Sequence, residues 1–243
     1  MGIFCGELVG TMFLILLGDG VVANSCLNES KGNKAGWFAI TAGWGLAVTL
    51  GVYISGWASG GHLNPAVTLA MASLGKITTD QIPYYIGGQL IGAFLGAVLV
   101  WLAFLPHWSR TPDASTKLGV FCTIPAIRHT LGNLLSEVIG TVVLVVGALS
   151  VANKANKIGD GFGPALIGII VVSIGLSLGG PTGYAINPAR DLMPRLAHAL
   201  LPIAGKGPSD WSYAWIPIVG PIIGGIIGAI FYTFCLQGLS PLN

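Results

Sequence analysis

The sequence predicts an all-α membrane protein: six transmembrane helices and two re-entrant half-helices, arranged as an inverted internal repeat. Three observations carry this. The first is composition: 53% of the residues are hydrophobic and only 8% are charged, whereas soluble domains are about a quarter charged. A surface so poor in charge must face lipid. The second is a series of six apolar runs, 3–24, 36–57, 82–105, 131–152, 162–179 and 214–237, each near the ~20 residues that a span needs. The third is a repeat. Glu7-Leu8-Val9-Gly10-Thr11 returns as Glu137-Val138-Ile139-Gly140-Thr141, and His62-Leu63-Asn64-Pro65-Ala66 as Ala185-Ile186-Asn187-Pro188-Ala189. Gly88, Gly92, Gly96 and Ala97 return as Gly220, Gly224, Gly228 and Ala229.

The motifs keep the same order in both halves. They divide a single domain, residues 1–243, into repeats of about 1–115 and 130–243. Each repeat holds three spans, and an odd number makes the second copy enter the membrane from the opposite face. The first run begins at Ile3 with no basic leader and no A-x-A pattern after it, so it reads as a retained span. Trp37, Trp57, Trp101, Trp108, Trp211 and Trp215 lie near span ends, as an aromatic belt requires. The fifth run is short for a span. The glycines spaced by four lie on one face of a helix, where small residues let backbones approach closely in lipid. They read as packing.

Two further apolar stretches are too short to cross. One follows Asn64 and runs to about Leu74; the other follows Asn187 and runs to about Leu200. Ten to twelve helical residues rise roughly 15–18 Å, about half of a ~30 Å hydrocarbon core. Asn is a strong N-cap and Pro is favoured at the first helical position, so each Asn-Pro-Ala opens a helix. One such turn alone is an ordinary cap. Two, in matching places of an inverted repeat, place two helix N-termini against each other near the midplane. Each Asn oxygen is expected to cap its own helix through the amides of residues 66–67 or 189–190, leaving the amide nitrogen to donate into a lumen. Each N-terminus carries roughly half a positive charge, and two of them at one narrow point oppose protons and other cations.

The paired turns, the repeated Glu-x-x-Gly-Thr and the run Ser59-Gly60-Gly61-His62-Leu63-Asn64-Pro65-Ala66-Val67-Thr68 resemble the aquaporin family. Gly183-Tyr184-Ala185-Ile186-Asn187-Pro188-Ala189-Arg190-Asp191 resembles its glycerol-facilitator, or aquaglyceroporin, branch, of which Asp191 directly after Arg190 is typical. The resemblance covers nearly the whole chain. It implies an aquaporin-like right-handed bundle, a single channel domain in the plasma membrane and a homotetramer. The function it implies is passive passage of glycerol, similar small neutral polyols and water, without ions or protons.

Arg190 is the third residue of the second half-helix, and an intramembrane Arg is a functional residue by default. Its five fixed donors suit two adjacent hydroxyls. The resemblance gives it three partners in a selectivity filter, Trp44, Gly175 and Tyr184. Trp44 and Tyr184 are expected to receive the carbon edge of a polyol, and the missing side chain of Gly175 to widen the pore. Tyr184 departs from the Phe common in this branch, and its hydroxyl is expected to narrow the filter or bind the solute. Asn64 and Asn187 form the expected central constriction. His62 is expected to line the inner pore or brace the first loop, Glu7 and Glu137 to accept hydrogen bonds from the loops, and Asp191 to shape the second loop. Asp19 receives no role beyond a bundle-facing or vestibule position.

Other classes fit parts of the pattern. Inverted repeats and broken helices also occur in ion-coupled secondary transporters, and a water- or lactic-acid-preferring channel shares the same scaffold. Ser55, Ser59 and His62 lie close together, but Gly56-Trp57-Ala58-Ser59-Gly60 is not the G-x-S-x-G elbow of a hydrolase. Cys5, Cys26, Cys122 and Cys235 have no C-x-x-C spacing, so neither a disulfide framework nor a zinc site is expected, only inert and mostly buried thiols. No cofactor is implied. The net charge of +2 argues against a nucleic-acid partner. With both termini cytoplasmic, as the family has them, Lys31, Lys34, Arg110, Lys117, Arg128 and Lys206 fall outside and only Lys76, Lys154 and Lys157 inside, against the positive-inside rule.

Overall fold

The computed structural model describes residues 1–159 and 161–237; Asp160 and 238–243, the end of the second expected repeat, lie outside the described residues. Helices α1 (Gly2–Cys26), α2 (Gly36–Ser59), α3 (Pro65–Ser73) and α4 (Ile82–Ala103) form the first half. Two short helices, α5 (Leu105–Arg110) and α6 (Ala114–Phe121), lie in the connection, where none was expected. Helices α7 (Thr130–Val151), α8 (Gly163–Leu178), α9 (Pro188–Leu200) and α10 (Ile216–Cys235) form the second half.

Five of these helices are long and apolar enough to cross a membrane. The sixth span, α8, has 16 residues, about 24 Å of helix. Pro164 lies in its first turn, and Gly179-Gly180-Pro181 follows its end. The half-helices α3 and α9 have 9 and 13 residues.

Packing repeats between the halves. α1 lies against α2 and α4 as α7 lies against α8 and α10, while α3 packs on α10 and α9 on α4. Glycines make the closest approaches. A Cβ at Gly92 would lie 2.2 Å from the Leu8 carbonyl oxygen, and one at Gly224 would lie 2.3 Å from that of Val138. Across the halves, a Cβ at Gly45 of α2 would lie 2.6 Å from the Gly168 carbonyl oxygen of α8, and one at Gly168 would lie 2.5 Å from that of Gly45. Without an apolar driving force between helices in lipid, this intimate contact is what holds the bundle.

The outside is apolar: Phe38, Leu46, Trp57 and Phe234 stand among many exposed large hydrophobics, a surface suited to acyl chains and not to water. Trp37, Trp57, Trp211 and Trp215 are exposed, but Trp108 is not part of a belt. It is buried, stacked on Phe121 and bonded through Nε1 to the Trp101 carbonyl. Of the four cysteines only Cys122 is buried, while Cys5 and Cys235 are exposed. This corrects the expectation of mostly buried thiols; in lipid, an apolar thiol has no need of a protein core.

Several of the cations expected outside hold loops together. Lys206 Nζ donates to the carbonyls of His198, Ala199 and Leu201 at 2.8, 2.6 and 2.7 Å, closing the C-terminal end of α9, where a cation is favoured. Lys117 Nζ donates to the carbonyls of Ala204 and Gly205, and Arg128 pairs with Asp210. Half of the charges that oppose the positive-inside rule are therefore loop fastenings.

Candidate functional site

Each re-entrant loop rests on a carboxylate from the first helix of its own half. Glu7 accepts from Ser59 Oγ at 2.6 Å, His62 N at 3.0 Å, Leu63 N at 2.7 Å and Gln89 Nε2 at 2.7 Å. Glu137 accepts from Ala185 N at 3.0 Å and Ile186 N at 2.7 Å. These bonds hold strained backbone. Leu63 and Ile186, the residues before the two asparagines, have φ of +53° and +43°, which is rare for any L-residue and an outlier for a β-branched one. Each such residue costs about 1–3 kcal/mol and persists only where its surroundings over-determine it.

The turns are N-caps. Asn64 Oδ1 accepts from Ala66 N at 2.9 Å, and Asn187 Oδ1 from Ala189 N at 3.0 Å and Arg190 N at 3.2 Å. The amide nitrogens then cross over: Asn64 Nδ2 donates to the Ile186 carbonyl at 2.7 Å and Asn187 Nδ2 to that of Leu63 at 2.8 Å. This corrects the expectation of wholly free amides. One N–H of each clasps the opposite loop, and one remains for a solute.

A cavity of about 500 Å³ is bordered by both asparagines, by His62 and by Trp44, Tyr184 and Arg190. The Arg190 guanidinium lies over the Trp44 ring, 4.1 Å from its centroid. Its Nη1 donates to the Phe121 carbonyl at 3.4 Å, a long contact to the end of α6. The Tyr184 hydroxyl is buried with no hydrogen-bond partner among the described residues. It points at Gly175, where a Cβ would lie 3.0 Å from it and 2.8 Å from Cζ of the same ring. Two expectations change here. The hydroxyl is turned into the wall and away from the lumen, and the bare Gly175 makes room for the Tyr184 ring, which itself borders the cavity. Trp37 Nε1 donates to the Gly175 carbonyl at 2.9 Å and its ring meets Tyr184 edge-on. The His62 ring stacks on Tyr85 and its Nδ1 lies 3.2 Å from Thr68 Oγ1. Among the described residues no cluster of His, Cys, Asp and Glu could hold a metal ion.

The sequence model of the major intrinsic protein family matches residues 1–232. The chain belongs to the major intrinsic protein family. It is 58% identical to the probable glycerol uptake facilitator protein of Thermotoga maritima, over 96% of this chain and 99% of that one. It is 52% identical to the glycerol uptake facilitator protein of Bacillus subtilis, over 98% and 86%. The solved structure of the aquaglyceroporin from Plasmodium falciparum superposes with a TM-score of 0.89 at 31% identity, covering 100% of this chain and 99% of that one. The fold is thus the aquaporin fold, and the chain is a multi-pass channel protein of the plasma membrane and not an enzyme.

Around Asp191, which was expected to shape the second loop, this major intrinsic protein uses polar partners that sequence reasoning passed over. Asp191 accepts from Thr123 N at 2.8 Å and Thr123 Oγ1 at 2.6 Å through one oxygen. Its other oxygen takes Arg195 Nε at 2.9 Å and Nη2 at 2.8 Å. Arg195, fully buried, spends its remaining donors on the carbonyls of Ser209, Asp210 and Thr123. The four-residue spacing of Asp191 and Arg195 on a helix was the readable signal. Gln89, also fully buried, bridges Glu7 and Thr68 Oγ1. Its only sequence signal was a polar residue inside an apolar run.

Proposed function

We propose that this protein is a passive channel for glycerol and similar small neutral solutes, and for water, that excludes ions and protons. The observation that carries the reading is the single cavity bordered both by Asn64 and Asn187 and by Trp44, Tyr184 and Arg190. An aromatic plate and edge receive the carbons of a polyol, and the donors of Arg190 and of the two asparagines receive its hydroxyls. Among the described residues bordering that cavity, Arg190 is the only permanent charge, and two half-helix N-termini add positive potential. A neutral solute loses little on entering, while a cation is opposed.

In this reading Trp44, Gly175, Tyr184 and Arg190 make the filter and Asn64 and Asn187 the central constriction. Glu7, Glu137, His62 and Asp191 support the loops and pore wall, all within one channel domain. The names of the Thermotoga and Bacillus relatives favour glycerol, and the homotetramer implied by the family belongs to the same proposal. The test is a stopped-flow panel on proteoliposomes with glycerol, water, dihydroxyacetone, urea and lactic acid. Glycerol flux should be linear in concentration and independent of sodium and pH. Saturable, ion-coupled uptake would replace the channel by a carrier, and fast lactic acid with slow glycerol would reassign the solute.

A further inference from the structure

We propose that Asp19 is the counter-ion of the filter arginine, a positioning residue that sets the charge selectivity of the pore without touching the solute. The proposal rests on the filter reading above. Asp19 lies on α1, fully buried, with Oδ1 3.7 Å from Arg190 Nη1. Neither carboxylate oxygen has a hydrogen-bond partner among the described residues. A buried carboxylate with no donor stays ionised only beside a compensating charge, and Arg190 is its ion-pair partner.

The separation matters. At 3.7 Å the contact is too long for a hydrogen bond, so Asp19 balances the charge of the guanidinium without occupying its donors. The other constraints on Arg190 come from the Phe121 carbonyl and the face of Trp44. The residue before Asp19 seats that ring: a Cβ at Gly18 would lie 2.2 Å from Trp44 Cζ3. One turn of α1 therefore fixes both the aromatic plate and the balancing charge.

The neighbouring pair, Asp191 and Arg195, closes on itself at 2.8 Å with both side chains fully buried. Without Asp19, the outer wall would keep the whole charge of Arg190, added to roughly half a positive charge from the N-terminus of α9. Such a place attracts small anions. With Asp19 present, the charge of Arg190 is balanced, only the partial positive charge of the α9 N-terminus remains to oppose cations, and the donors of Arg190 are offered to neutral hydroxyls.

The test compares nitrate and glycerol permeability in proteoliposomes of the whole protein. In Asp19→Asn the nitrate-to-glycerol ratio should rise at least about tenfold, since unit charges this close interact by several times the 1.4 kcal/mol that makes a factor of ten. Asp19→Glu, which keeps the charge, should restore the wild-type ratio. The double replacement Asp19→Leu with Arg190→Leu removes both charges and should exclude nitrate as the wild type does. An unchanged ratio in Asp19→Asn, or a double variant that leaks nitrate, overturns the proposal. Should Asp19→Asn not fold, the double replacement should, and its failure to fold overturns the pairing. A wild type that passes no glycerol sinks the filter reading instead, and is seen before any variant is compared.

Discussion

Four residues after each capping asparagine stands a different side chain: Thr68 after Asn64, and Asp191 after Asn187. Thr68 Oγ1 donates to the Asn64 carbonyl at 3.1 Å and accepts from Gln89 Nε2 at 2.9 Å, in an anchorage of neutral partners around His62 and Tyr85. Asp191 takes two bonds from Thr123 and two from Arg195, in a buried ionic one. Nearer the midplane the loops are alike, with a glutamate below each, a left-handed residue before each asparagine and a crossed pair of amide bonds. The duplicated parts make the meeting of two helix ends, which symmetry suits. The unequal parts put permanent charge on one side only, where Arg190 stands. A filter needs only one such gate, and the other loop has only to hold its shape.

The largest effects should fall on the duplicated parts. Glu7→Ala and Glu137→Ala each orphan two backbone amides under a strained turn. At about 1.5–3 kcal/mol for each bond to a charged acceptor, the two amide bonds alone should cost each variant roughly 3–6 kcal/mol, and Glu7→Ala should be the costlier because it also strips Ser59 Oγ and Gln89 Nε2. Recovery of monodisperse protein and unfolding in detergent measure this. A severe loss at Glu137 with a mild one at Glu7 would mean the loops are not built alike after all.

Next come the unequal parts. Asp191→Ala strips a buried Arg195 of its counter-ion, which typically costs about 3–5 kcal/mol. Thr68→Ala removes neutral bonds and should cost about 1–2 kcal/mol. The same unfolding experiment reads both, and equal losses would erase the distinction between an ionic and a neutral anchorage.

Much of this was legible in the sequence. Spans, half-helices and glycine rows follow from apolar length, Asn-Pro starts and spacing by four, all of which act locally. What was missed depends on contacts between distant segments. Whether Trp108 lies in a belt or in a core depends on α6, whose Phe121 it covers. The crossed amides of Asn64 and Asn187 require both loops to be placed before either donor has an acceptor. Asp19 was visible as a carboxylate inside an apolar run, a signal for function, yet it had no meaning until Arg190 came within 3.7 Å of it. The family resemblance named Gly175 and Tyr184 as filter partners, but the direction of the tyrosine hydroxyl is a matter of packing.

That hydroxyl carries the smallest prediction and the sharpest. Its oxygen is buried and has no partner among the described residues, and leaving such a group unsatisfied costs about 1–3 kcal/mol. The ring has little freedom to respond to its loss. A Cβ at Gly179 would lie 2.4 Å from Tyr184 Cδ1, and Trp37 meets the ring edge-on with centroids 5.7 Å apart. Tyr184→Phe should therefore raise the unfolding temperature in detergent. The glycerol-to-water permeability ratio should shift by less than about threefold, under 1 kcal/mol, because the surface facing the cavity is the ring. A shift of tenfold with no gain in stability would mean that the hydroxyl faces the solute. The second loop would then bind the solute's hydroxyls through the tyrosine oxygen as well as through Arg190, and the aromatic side of the filter would no longer be purely apolar.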